Sequence, residues 1–163
     1  MKPDFPKLIF AIAATLYFLW IVATPMDGSF LDIVDLPIHE TGHLLFRPFG
    51  EFMMFAGGSI FQVVVPAVFV GYFIWHEKYY SAAIVLFWVG QSFINIHIYA
   101  SDAVNMNLPL VGGGLHDWNY LLRETGLLGK TAAVASFFRL VGSLIILAAG
   151  GISVYYSFKK REE

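Results

Sequence analysis

The chain of 163 residues contains no cysteine, and only 13% of its residues are charged. The first absence excludes disulfides, thiolate zinc sites and a cysteine nucleophile. Any metal must therefore be held by histidine, aspartate or glutamate. The second absence excludes more. A soluble domain carries about a quarter charged residues, whereas here 58% are hydrophobic and the mean hydropathy is +0.67. That is the composition of an integral membrane protein, with the lipid bilayer as its surroundings. The net charge of -2 is too small to argue for nucleic acid or any strongly charged partner. There is no internal repeat, low-complexity tract or soluble domain, and the length suits a single membrane-embedded domain over residues 1–163.

Apolar runs define the expected fold class: an all-α, multi-pass membrane protein. Four runs are each long enough to cross about 30 Å of hydrocarbon. They are Leu8 to Thr24, Gly57 to Trp75, Tyr79 to roughly Tyr99, and a last one between Lys130 and Phe158. The first follows Lys2 and Lys7, as a signal peptide would, but it is long and aromatic-rich and lacks a clear small-x-small cleavage site. Tyrosines and tryptophans near the segment ends suit interface belts. Arg139, inside the last run, reads as an interfacial boundary, the rival reading being an ion pair with Asp102 or Glu124. "GLLGKT" (Gly126 to Thr131) lacks the first glycine and the preceding strand of a phosphate loop and is set aside.

Between the first two runs, Pro37 suits the first turn of a helix, Asp35 can cap it, and Pro48 disfavours helix at Arg47. The expected helix, Pro37 to Phe46, would be about 15 Å long, half a bilayer. Such a half-span is permitted only where other helices cover it. With four full spans and one half-span, both termini fall on one side. If that side is the cytoplasm, it holds Lys2, Lys7, Lys78, Lys159, Lys160 and Arg161, against Arg47, Arg123 and Lys130 opposite, as the positive-inside rule requires.

The half-span carries His39-Glu40-Thr41-Gly42-His43. Histidines at i and i+4 share one helix face, so two imidazoles can reach one ion. Glutamate at i+1 cannot ligate from that face but can reach a water bound to the ion. This is the zinc hydrolase arrangement, in which Glu40 takes the water's proton and passes it to the leaving amine. Ionisable groups are costly in a membrane segment and usually functional there. The rival is a pair of surface histidines on an interfacial helix.

A third ligand is needed, with a coordination position left open. Gln91, Asn95 and Asp102 fall near one face of the third run, ending in a carboxylate; the rival reading of this stripe is interhelical hydrogen bonding. The reserve is His116-Asp117 in the long loop, where Asp117 could instead cap a helix over "WNYLLRE". His76 reads as loop and His97 as packing.

"HETGH" after a first apolar span, "FGEFMMFAGGS" next, and "NIHIYASDA" (Asn95 to Ala103) later together resemble the site-2 protease family of intramembrane zinc metalloproteases. The resemblance covers about residues 8 to 120. It implies a helical fold, a Zn2+ cofactor and cleavage of membrane-embedded peptides. It also implies that His39, His43 and Asp102 bind the metal and that Glu40 is the general base. Phe49 to Phe55 would then be a membrane-dipping hairpin able to pair with an extended substrate, with Gly57-Gly58 as hinge or plain turn. Asn95 would bond the substrate backbone or the oxyanion; Asn119 could do so too but reads as loop packing. The second motif departs from the family pattern. Asn95 and Asp102 are one residue closer than usual, the proline is absent, and Ala103 replaces glycine. Pro109 and Gly112-Gly113-Gly114 could be displaced pieces of that motif, with Asp117 its aspartate.

The expected activity is thus that of a zinc metalloendopeptidase acting on a membrane protein or peptide. The alternatives are a non-catalytic membrane protein that binds or moves zinc, and a protease-like module that holds transmembrane partners without cutting.

Overall fold

A computed structural model describes residues 3–109 and 115–159. The glycine run 112–114 and the basic residues Lys2, Lys160 and Arg161 lie outside the described residues. Among the described residues there are six α-helices: α1 (Phe5–Ala23), α2 (Asp32–Phe46), α3 (Glu51–Trp75), α4 (Tyr79–Ser101), α5 (Asp117–Glu124) and α6 (Thr131–Ser157). No strand occurs among the described residues.

α1, α3, α4 and α6 are long and apolar enough to cross a membrane, and their bounds follow the apolar runs to within a few residues, except at the start of α3. Their outward faces are oily: Leu16 on α1, Val68 on α3 and Leu140 and Leu144 on α6 are all exposed. In water such a surface would aggregate; in a bilayer it is solvated. α4 lies between α3 and α6, and α1 packs on α6 and α4. The start of α1 and the end of α6 meet at one end of the bundle, where the Asp4 N–H donates to the Ser157 carbonyl at 2.8 Å. At the opposite end, Arg139 donates to the Val22 carbonyl at 2.9 Å. It satisfies an orphan acceptor of the last turn of α1 rather than pairing with Asp102 or Glu124.

Without a hydrophobic drive between helices in lipid, close packing needs small residues. A Cβ added at Gly142 on α6 would lie 2.7 Å from the Gly90 carbonyl on α4, so these two backbones touch. One added at Gly57 on α3 would lie 2.7 Å from the Gly42 carbonyl on α2. Gly57 and Gly58 are therefore neither hinge nor turn. They are helical residues that bring α2 against α3.

Two further expectations are corrected. α2 begins at Asp32, five residues before Pro37. Asp35 does not cap it; the side chain is buried and accepts hydrogen bonds from Trp88 Nε1 (2.7 Å) and Gln62 Nε2 (3.3 Å). A proline inside the helix frees one backbone carbonyl, which a membrane-type interior tolerates when neighbours compensate. The stretch Phe49 to Phe55 is not an extended hairpin. A 3-10 turn over Arg47–Phe49 and Gly50 at φ 98° reverse the chain, and α3 starts at Glu51. Only glycine adopts that backbone freely, and helix lets the following residues bond their own backbone, as Met54 N–H does to the Gly50 carbonyl at 2.9 Å.

Gly142→Ala should destabilise the protein by about 1–3 kcal/mol through overpacking. Gly151→Ala on the same helix, where a Cβ meets nothing within 4 Å, should be neutral or stabilising. Unfolding in mixed micelles distinguishes them, and equal effects would contradict the α4–α6 contact.

Candidate metal centre

His39 and His43 stand one turn apart on α2, ring centroids 4.8 Å apart. Each ring is held at Nδ1. His43 Nδ1 bonds the Met54 carbonyl in the first turn of α3 at 2.8 Å, and His39 Nδ1 lies 3.2 Å from Gln62 Oε1. Gly58 lies under the His39 ring; a Cβ there would come within 2.5 Å of His39 Nε2. The close crossing of α2 and α3 thus seats both imidazoles.

The third group arrives from α5. Asp117 Oδ2 lies 3.0 Å from His39 Nε2 and 3.3 Å from His43 Nε2. His39 and Asp117 are buried. Among the described residues, His39, His43 and Asp117 form the one group able to hold a metal ion, their ligand atoms all within 4.8 Å of one another. Tetrahedral bonds of about 2.0–2.1 Å set ligand atoms roughly 3.3 Å apart, close to the 3.0 and 3.3 Å that separate Asp117 from the two rings.

The hydrogen bonding tests the fit. A carbonyl only accepts, so His43 Nδ1 carries a proton toward Met54. If the ring is neutral, its Nε2 then presents a lone pair to the lone pairs of Asp117. Two acceptors at 3.3 Å repel unless a cation or a proton lies between them. A divalent cation answers that arrangement, as does a protonated His43 donating to Asp117, and the outward bonds at Nδ1 are what metal-binding imidazoles ordinarily have.

α5 is anchored by consecutive side chains. Trp118 Nε1 donates to Ser59 Oγ on α3 at 3.2 Å, and Asn119 Nδ2 donates to the Ala103 carbonyl beyond α4 at 2.8 Å. The helix cap is His116, not Asp117: the Asn119 N–H donates to His116 Nδ1 at 3.2 Å. Asp117 is therefore the first helical residue and free to face the histidines. Burial pushes its pKa up, but the imidazoles of His39 and His43 beside it outweigh this and hold it below the ordinary carboxylate value.

Asp102, expected as third ligand, is placed outside this group. Its carboxylate accepts from the N–H groups of Asn107 (3.0 Å) and Leu108 (2.9 Å) and faces His116 Nε2 across 3.5 Å. Burial raises its pKa, yet those N–H groups and His116 bring it below the usual range. Asp102 and His116 thus brace the loop that leads to Asp117. Asn119 packs the loop as expected, and His97 Nδ1 bonds the Ala135 carbonyl at 2.9 Å.

Glu40 lines a cavity of about 440 Å³ together with His39, Asp32, Asp35, Gln62, Asn95 and Tyr99. Asn95 is part of that wall rather than a free donor: Nδ2 donates to Asp32 Oδ1 at 3.1 Å, and Oδ1 accepts from Gln62 Nε2 at 2.9 Å. Sequence reasoning missed Gln62, Asp32 and Asp35. Their signal was the isolation of Gln62 in an apolar run and two acids just upstream of the motif.

No protein-family model, curated protein or solved structure matches the chain. The reading of the site rests on its own geometry.

His39→Ala, His43→Ala or Asp117→Ala should each abolish stoichiometric metal in purified protein, whereas Asp102→Ala should retain it. Elemental analysis after dialysis against trace metal decides, and loss confined to the Asp102 variant would reverse the ligand assignment.

Proposed function

We propose that the protein is an intramembrane zinc metallopeptidase that hydrolyses peptide bonds of membrane-embedded substrates. The observation that carries this reading is the pairing of a three-ligand cluster with a separate carboxylate. His39, His43 and Asp117 converge, while Glu40 from the same helix opens onto the adjoining cavity. A purely structural site needs four protein ligands and no base. Two imidazoles and a carboxylate, with cysteine absent from the chain, suit zinc.

When bound, zinc would polarise a carbonyl and bring the pKa of a water toward about 7. Glu40 would accept that water's proton and hand it to the leaving amine. Gln62 and Met54 would keep the two rings aimed. Asp117 would offset the ion's charge in surroundings that stabilise charge poorly.

Depth supports the membrane setting. Gly58, under His39, is seven residues beyond the first residue of α3, about 10 Å down the helix. The segment before α2 turns back into the bundle: Tyr17 Oη lies 3.4 Å from Ser29 Oγ and accepts from the Phe30 N–H at 3.3 Å. On this reading α2 is a half-span that starts inside the bilayer and rises to the end where α3 begins. Both chain termini are then cytoplasmic and the metal centre opens toward the other side, as the basic residues require. A membrane-spanning substrate is helical, its carbonyls already bonded, so it must unwind locally before Glu40 and the metal can act on it. The resemblance to the site-2 protease family agrees with this reading, with Asp117 in place of Asp102 as third ligand.

Glu40→Gln discriminates between enzyme and zinc carrier. Reconstituted with zinc in proteoliposomes carrying fluorogenic transmembrane peptides, the unsubstituted chain should cleave. The variant should lose about 10²–10⁴-fold in rate while keeping its metal. Undiminished cleavage by the variant would sink the proposal.

A further inference from the structure

A chain of side chains runs from Asp32 on α2 through Asn95 on α4 and Gln62 on α3 to His39. Its links are Asn95 Nδ2 to Asp32 Oδ1 (3.1 Å), Gln62 Nε2 to Asn95 Oδ1 (2.9 Å), and His39 Nδ1 to Gln62 Oε1 (3.2 Å). We infer that this chain is a one-way hydrogen-bond relay. In it, Asp32, Asn95 and Gln62 are positioning residues that fix the tautomer of His39 and so leave its Nε2 free for the metal. The inference rests on the metal-centre reading above and extends it to residues that touch neither metal nor substrate.

The direction follows from which groups can only accept. An ionised carboxylate has no proton to donate. Asp32 therefore takes the N–H2 end of Asn95, which turns the Asn95 oxygen toward Gln62. That oxygen takes the N–H2 end of Gln62. The second hydrogen of the same nitrogen goes to Asp35 Oδ2 at 3.3 Å, so two independent acceptors agree on how the Gln62 amide is turned. The Gln62 oxygen is then what His39 meets. An oxygen there requires a proton on Nδ1, and a neutral ring with its proton on Nδ1 has its lone pair on Nε2, facing Asp117 Oδ2 at 3.0 Å. Reversing the relay would set the Asn95 oxygen against Asp32 and the Gln62 oxygen against Asp35, acceptor against acceptor.

The surroundings hold the two ends. Gln62 is 1% exposed and Asp35 2%, so a missing partner there is costly. Asp35 is turned by the Trp88 indole N–H at 2.7 Å, a group that only donates. Asp32 is held by Gln91 Nε2 at 2.6 Å and by the Ser29 N–H at 2.6 Å. The bundle thus sets the state of His39 from three helices, whereas His43 is set by a single backbone carbonyl.

The test uses the full chain in micelles with ¹⁵N-labelled histidine. In metal-free Asp117→Ala protein, which lacks the competing carboxylate, His39 at alkaline pH should be in the Nδ1–H form by its nitrogen shifts. Adding Asp32→Asn, an amide able to turn either way, should produce a mixture of tautomers. In the otherwise native chain, Asp32→Asn should weaken zinc several-fold and Gln62→Leu about 10–100-fold. An Nε2–H ring in the Asp117→Ala background, or a tautomer indifferent to Asp32→Asn, overturns the relay. So does undiminished zinc affinity in Gln62→Leu. Failure of the native chain to bind zinc would remove the proposed function, while the tautomer measurement would still decide the relay.

Discussion

The structure turns on one electrostatic constraint: two imidazole nitrogens aimed at a single carboxylate oxygen, 3.0 and 3.3 Å away, in a mostly buried site. Acceptors do not converge without something positive among them. Every neighbouring element is arranged to keep them converged. The Met54 carbonyl and Gln62 hold the rings from behind, Gly58 makes room for one of them, and α5 is pinned on both sides of Asp117 through His116, Trp118 and Asn119. A Cβ at Gly58 would meet the His39 ring first.

The same constraint explains why so much polarity is buried in an oily bundle. A buried amide or carboxylate without partners costs roughly 1–3 kcal/mol or more, and lipid offers no water to make up the difference. Asp32 and Asp35 would be expensive at the start of α2 if they stood alone. Met by Gln91, Asn95, Trp88 and Gln62 from α3 and α4, they become the means by which α2 is fixed in register. A one-residue slip of α2 would take both acids from their donors and both histidines from Asp117 together. Structural and chemical demands on this helix therefore coincide.

How much of this the sequence displays depends on the range of each interaction. The four long helices were legible because lipid selects on composition, run by run. His39, Glu40 and His43 were legible because the relation between i and i+4 is local. The third member of the cluster was not, since Asp117 lies 74 positions beyond His43 in the chain, and its availability depends on a single residue of helix register. With Asp117 as cap, its carboxylate would be spent on a backbone N–H; with His116 as cap, it is free. Both residue types serve at helix starts, and no local pattern separates the two. Asp35 misled for a related reason. An acid two residues before a proline reads as a cap, and only the donors on α3 and α4, distant in sequence, make it a buried acceptor. Gln62 stood alone in an apolar run, where a lone amide ordinarily means helix-to-helix adhesion. Its link to His39 exists only in three dimensions.

The place of Glu40 follows from the same helix geometry. Successive residues on a helix are turned by about 100°, so a glutamate next to His39 cannot share its direction. It faces instead into the cavity lined by Asn95, Tyr99, Leu108 and Pro109. A carboxylate on the His39 and His43 face of α2 would instead point toward the cluster as a fourth candidate ligand. Three ligands on one side and a base on the next are what keep a coordination position free. In a chain that spends few of its residues on charge, the position of Glu40 beside, rather than within, the cluster supports the proposed enzymatic reading over a purely structural one.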